Sequence, residues 1–140
     1  MDDALFAEAV DLRDRVLRAP LGRASARHET ERDAKGVHFV ALRSSKVVGC
    51  LALYPDGAAA AELKSMAVAP EARREGVGAA MYRCLEGWAR GKGIGAIAAE
   101  ARIGAVAFYE SCGFTAESED YMLHGVQHRR MRKLLAADRA

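Results

Sequence analysis

The stretch Met66-Ala67-Val68-Ala69-Pro70-Glu71-Ala72-Arg73-Arg74-Glu75-Gly76-Val77-Gly78-Ala79-Ala80-Met81 constrains this chain more than any other. Glu62 to Val68 suits a strand, and Val77 to Ala89 carries its apolar residues at helical spacing, so a Gly-containing loop joins strand to helix. At a helix start the backbone N–H groups have no intrahelical partner, and the helix dipole adds partial positive charge where they point. Gly76 and Gly78 carry no Cβ, so an oxyanion can approach the main chain there, and Arg73 and Arg74 bring guanidinium forks to the same edge. The expected ligand is a phosphate or pyrophosphate. A lone Gly-x-Gly is weak by itself. Met81 stands where a dinucleotide fingerprint has its third Gly, and the absence of Gly-Lys-Ser/Thr excludes a P-loop.

The rest of the chain reads as the sheet that holds this loop and the wall that faces it. Leu5, Ala9, Leu12 and Val16 share one face of a first helix over Asp3 to Arg18, with Glu8, Asp11, Arg13 and Arg15 opposite, and Pro20 with Gly22 stops it. Arg23 to Gly36 is polar and reads as a connector with room for a short surface helix. Val37 to Arg43, Val47 to Tyr54 and the strand ending at Val68 form an antiparallel meander, turning at Ser44-Ser45-Lys46 and Pro55-Asp56-Gly57. Ile94 to Ala99 is an apolar strand buried on both faces, which makes strand, helix and strand a parallel crossover unit. A short helix from Ala105 to Cys112, capped by Gly113, precedes a strand over Phe114 to Ser118 and a last one around His128 to Leu134. The fold class is α+β with a sheet of mixed direction.

At 140 residues, with 51% hydrophobic and 29% charged residues, residues 1–140 are expected to form one domain with one core. A net charge of +2 gives mild steering and does not point to nucleic acid or membrane. Cys50, Cys84 and Cys112 form no C-x-x-C pair, and Met1-Asp2-Asp3 opens no signal-like run, so reduced thiols in a cytoplasmic protein are expected. His124 and His128 have the i, i+4 spacing of metal ligands, but Gly125 breaks the helix that would align them, so no metal is expected. His38 reads as a core histidine. Trp88 with Val77, Met81, Cys84 and Leu85 reads as a helix core stripe, and Arg129, Arg130, Arg132 and Lys133 read as a solvated strand edge.

Val68-x-Pro70-x-x-Arg73-x-x-Gly76-x-Gly78, followed about thirty residues later by Ala105-x-x-Phe108-Tyr109-Glu110-x-x-Gly113-Phe114, resembles the GNAT superfamily of acyl-CoA N-acyltransferases. The ending Gly125-Val126-Gln127-His128 is similar to that of a small subgroup ending in Gly-Ile-Pro-His. The resemblance runs from about Leu12 to Lys133. It implies a mixed, mostly antiparallel sheet flanked by helices, with a splayed parallel central strand pair that receives the pantetheine arm of acetyl-CoA. It further implies that the main chain of Met66, Ala67 and Val68 meets the pantetheine and thioester, and that Arg73, Arg74, Gly76, Val77, Gly78 and Ala79 cradle the pyrophosphate. Arg102 and Phe108 would also border the cofactor. Tyr109 stands where the family has its general acid, which protonates the departing thiolate.

The activity this implies is transfer of an acetyl group to a primary amine, on a small molecule or a peptide, by direct attack. An alkyl ammonium near pKa ~10 is neutral about one part in a thousand at pH 7, a deficit of ~4 kcal/mol, so a base or a wet proton path is expected. Glu62, on one strand face with Lys64, Met66 and Val68, is one candidate; Glu100 and water are the others. Arg74 replaces a Gly common in the family loop, and Arg102 replaces the usual Asn. Glu75 sets a carboxylate where a basic residue is usual, against the charge of the expected ligand. The rival from another class is a catalytically idle acyl-CoA sensor or interaction module. The resemblance is compatible with a homodimer, and the strand that precedes the first helix in relatives is not evident, which would leave a sheet edge open.

Overall fold

The structure, a computed structural model, describes residues 3–18, 34–57 and 59–135. The helix stop at Pro20 and Gly22 and the connector reading of residues 23–33 lie outside the described residues. Contacts group the chain into two compact units, Met1–Tyr54 with Ser65–Leu85, and Pro55–Lys64 with Glu86–Ala140.

In the first unit, helix α1 spans Asp3–Arg13 and runs on as a π-helical turn, Asp14–Arg18. Ala9 and Leu12 are buried with Val47, Val48, Cys50, Ala67, Ala69 and Ala72, and Leu5, Val16 and Leu17 pack against that cluster. Arg13 departs from expectation: it is buried instead of lying on the polar face, with its guanidinium close enough to the Cys50 thiol to act on it. A long apolar stem lets an arginine next to Leu12 follow the helix into the core.

Strands β1 (Val37–Arg43) and β2 (Lys46–Asp56) form an antiparallel hairpin. Ser44 and Ser45 are both left-handed, at φ 50° and 66°, as a primed two-residue turn requires, so Lys46 belongs to the strand and not to the turn. The register shifts between Ala41, opposite Gly49, and Leu42, opposite Val47, so Val48 is a bulge. Strand β2 also continues through Pro55 and Asp56, so the expected turn does not begin before Gly57, at φ 75°. Strand β3 (Ala60–Val68) lies beside β2. Helix α2 (Val77–Gly91) begins in this unit against Gly49, where a Cβ would stand 2.8 Å from Met81 Cε and 3.0 Å from Val77 Cγ1. Tyr82 is buried in this helix while Cys84 is exposed, which corrects the expected stripe by a residue.

In the second unit, the first residues of β3 pair in parallel with β4 (Ala96–Arg102), from Ala60 opposite Ala96 to Leu63 opposite Ala99. A 3-10 turn, Ile103–Ala105, leads into helix α3 (Val106–Ser111), and Gly113 follows at φ 96°. Strand β5 is Thr115–Ala116, shorter than expected, and β6 is Tyr121–Leu123. A left-handed pair, His124 at φ 53° and Gly125 at φ 76°, turns β6 into β7 (Val126–Leu134). Strand β7 runs antiparallel to β4 on one side and to β5 and β6 on the other, so its basic residues do not form a sheet edge. The strand order is β1-β2-β3-β4-β7-β5 with β6 on β7, a seven-stranded, mostly antiparallel sheet with one parallel pair.

Candidate active site

The loop after β3 is built from backbone constraints. Ser65 is left-handed within β3, at φ 60°, and the parallel ladder onto β4 goes no further than Leu63 and Ala99. The Ala69 N–H donates to the carbonyl of the bulged Val48 at 2.8 Å, which fixes where the loop leaves the strand. Pro70–Ala72 forms a 3-10 turn closed by Ala72 N–H to Ala69 O at 2.9 Å, with Ala72 fully buried. Arg73 is extended, and its Nε donates to Val68 O at 3.3 Å.

Arg74 and Gly76 are both left-handed, at φ 65° and 79°. Arg74 thus holds a backbone conformation that favours glycine. The Ala80 N–H donates to Gly76 O at 3.0 Å as the first bond of α2, so the amides of Val77, Gly78 and Ala79 precede the ladder. Arg73 and Arg74 are exposed. Glu75, whose charge opposes the expected ligand, is ion-paired with Arg43 at the end of β1.

In the second unit, Tyr109 on α3 is 5% exposed, edge-on to Phe108 at 5.4 Å and to Phe114 at 5.3 Å between ring centroids. Burial, and secondarily Cys112, raises its phenol well above the ordinary value. Phe108 is half-buried, and Arg102 is the last residue of β4, opposite His128. His128 is buried with Nδ1 2.8 Å from Val126 O, and its ring stacks on Tyr121, whereas His124 sits in the turn. Among the described residues no group of three or more His, Cys, Asp or Glu could hold a metal ion.

Strand register gathers a charged cluster on one sheet face of this unit. Glu62 stands opposite Ala98, Ala98 opposite Arg132, and Glu100 opposite Arg130, and alternation places all of them on that face. Arg130 is hydrogen-bonded to Glu62, with Glu117 at 3.5 Å and Glu100 at 4.0 Å, and Arg132 lies 3.8 Å from Glu117. The bond to Glu62 raises the Arg130 guanidinium against the opposing effect of partial burial. A cavity of about 140 Å³ opens here, lined by Asp56, Glu62, Glu117, Arg130 and Arg132 over Ala60, Ala96 and Ala98. The hydroxyl of Tyr121 is buried without a hydrogen-bond partner among the described residues, and burial, then Glu100, raises its phenol.

Glu62 and Glu100 therefore meet in one cluster with Arg130, which sequence reasoning left in a solvated edge. The signal was present in the alternation of Arg130 and Arg132 with Met131 and Lys133. Lys133 indeed turns the other way, to Glu86 and the Cys112 carbonyl. Arg43 was also missed, since nothing local marks it.

The model of the acetyltransferase (GNAT) family matches residues 6–114. Among solved structures, a Lactobacillus plantarum protein classed as an N-acetyltransferase is 23% identical with a TM-score of 0.82, over 96% of this chain and 94% of that one. The ribosomal-protein-S18-alanine N-acetyltransferase of Escherichia coli is 18% identical with a TM-score of 0.80, over 99% and 92%. An aminoglycoside 6'-N-acetyltransferase complexed with coenzyme A is 17% identical with a TM-score of 0.78, over 99% and 95%. At these identities the likeness is one of fold.

Proposed function

Because the chain belongs to the acetyltransferase (GNAT) family, we propose that it is an N-acetyltransferase carrying an acetyl group from acetyl-CoA to a primary amine by direct attack. The observation that carries this reading is the run from Arg73 to Ala79. Two left-handed residues turn it, two exposed arginines open it, and three amides at the start of α2 precede the helix ladder, which together suit a pyrophosphate. The solved coenzyme A complex of a structural neighbour supports this choice of ligand. The main chain of Met66, Ala67 and Val68 serves the pantetheine and thioester end. The Val68 carbonyl accepts from Arg73 and has a second lone pair to offer. Arg102 and Phe108 border the cofactor.

The amine lone pair attacks the thioester carbon, the tetrahedral intermediate collapses, and the C–S bond breaks with its electron pair on sulfur. Tyr109 hydrogen-bonds that sulfur and supplies its proton. Its raised pKa keeps the phenol protonated throughout the working range and makes it a weaker acid, so it serves first as a neutral hydrogen-bond donor to the developing thiolate, and its proton is replaced from solvent after transfer. The ammonium proton leaves by the cluster of Glu62 and Glu100. Glu62 has one oxygen engaged by Arg130, whereas Glu100 touches Arg130 only at 4.0 Å, so Glu100, directly or through water, has the freer carboxylate. The excess of carboxylates over arginines on that face suits a cationic acceptor, a small-molecule or peptide amine.

Acetyl-CoA incubated with pooled small amines, aminoglycosides, polyamines and peptides tests this, with free CoA thiol as the readout. Thiol release that depends on an added amine is expected. Cofactor binding without release across the whole panel would instead identify an idle acyl-CoA sensor. The free thiols of Cys50, Cys84 and Cys112 fit a cytoplasmic setting for this chemistry.

A further inference from the structure

We infer that Arg43 is a positioning residue for the cofactor loop: it neutralises Glu75 and holds that carboxylate aside, so that the start of α2 can accept the diphosphate. The inference rests on the diphosphate reading of the loop. Glu75 is the residue before Gly76, so its charge adjoins the three amides proposed to meet the ligand. Left to itself, a carboxylate there repels a diphosphate at a range too short for salt to screen fully. Arg73 and Arg74 stand next to Glu75 in sequence, yet the ion pair to Glu75 comes from Arg43, thirty-two residues away. The loop's own arginines stay exposed, with Arg73 engaged at its Nε by the Val68 carbonyl.

Arg43 can do this because a stiff element delivers it. It closes β1 opposite Lys46 across a two-residue turn whose serines are both left-handed. The Val47 N–H beyond that turn donates to Glu8 of α1 at 3.2 Å, so the hairpin tip is anchored from a second side. The loop needs such an outside tie. Its 3-10 turn ends on a long bond, Arg73 N–H to Pro70 O at 3.4 Å, and Arg74 follows in a conformation that costs a non-glycine residue energy. As a contribution to stability, a half-exposed pair of this kind counts for little. Its effect falls on the charge that an incoming anion meets.

The test is the Kd of CoA at low ionic strength for wild type, Arg43→Met, Glu75→Gln and the double variant, with a melting curve for each. Arg43→Met should bind about fivefold more weakly, Glu75→Gln at least as tightly as wild type, and the double variant within twofold of Glu75→Gln. The Arg43→Met defect should shrink as salt is raised. Equal affinities in wild type and Arg43→Met overturn the inference and leave the diphosphate reading standing. A double variant as weak as Arg43→Met overturns it too, because Arg43 would then touch the ligand itself. A wild type that binds no CoA overturns both the inference and the reading beneath it.

Discussion

Tyr109 is a phenol pressed between two aromatic rings and almost removed from water, and its chemistry follows from that placement. Tyr109→Phe keeps the ring contacts and deletes the donor. Turnover should fall by about a hundredfold while the KM for acetyl-CoA stays within about twofold, read from steady-state kinetics. Unchanged turnover would move leaving-group protonation to water. Cys50 shows the same desolvation without the function, since burial pushes its thiol from 9.0 up to about 11, with Arg13 pulling weakly the other way. A folded-state pKa raised in this direction stabilises the fold fully below about pH 9 and loses that contribution as pH rises through about 11, at most ~3 kcal/mol. Thermal melts from pH 8 to 11 should therefore decline, and Cys50→Ala should decline less steeply. Parallel slopes would assign the alkaline loss elsewhere, to Tyr109 among others.

The element that matters most is the β3-to-α2 connection, and Arg74 sets two of its properties in opposition. At φ 65° an arginine pays a steric penalty of ~1 kcal/mol that a glycine does not. Arg74→Gly should raise the Tm by about 3 °C and weaken CoA binding severalfold, since the relief of strain comes with the loss of a cation. A variant that gained both stability and affinity would show that Arg74 does not face the ligand. This connection was legible in the sequence because everything that shapes it is local: a strand, two glycines and a helical period within twenty residues. The Glu62–Arg130 pair was not legible, because its partners are 68 residues apart and meet only through the register of β7 on β4 and of β4 on β3. Before that register is known, four basic residues around Met131 look like solvated surface. The β6–β7 hairpin escaped for another reason: its turn uses left-handed His124 before Gly125, and three residues of β6 are too few for a periodic signal.

At the scale of the whole molecule, residues 1–140 are expected to form one domain, within which contacts group into two compact units. The boundaries fall inside β2, after Tyr54, inside β3, after Lys64, and inside α2, after Leu85. Unfolding one unit alone would cut two strands and a helix before their ends and leave backbone N–H and C=O groups without partners, which is expensive unless water reaches all of them. Calorimetry should accordingly give one transition, with calorimetric and van't Hoff enthalpies in agreement. A ligand that binds only the folded chain stabilises whatever unfolds together with its site, so acetyl-CoA should move that single transition as a whole. At a hundred times its Kd the gain is ~2.7 kcal/mol, or about 8 °C for a chain of this length. Tyr109→Phe should show nearly the same shift, since it removes a donor to the leaving sulfur and not a contact to the diphosphate. Two resolved transitions, with only one moved by the ligand, would make the units independent and confine binding to the unit that carries the loop.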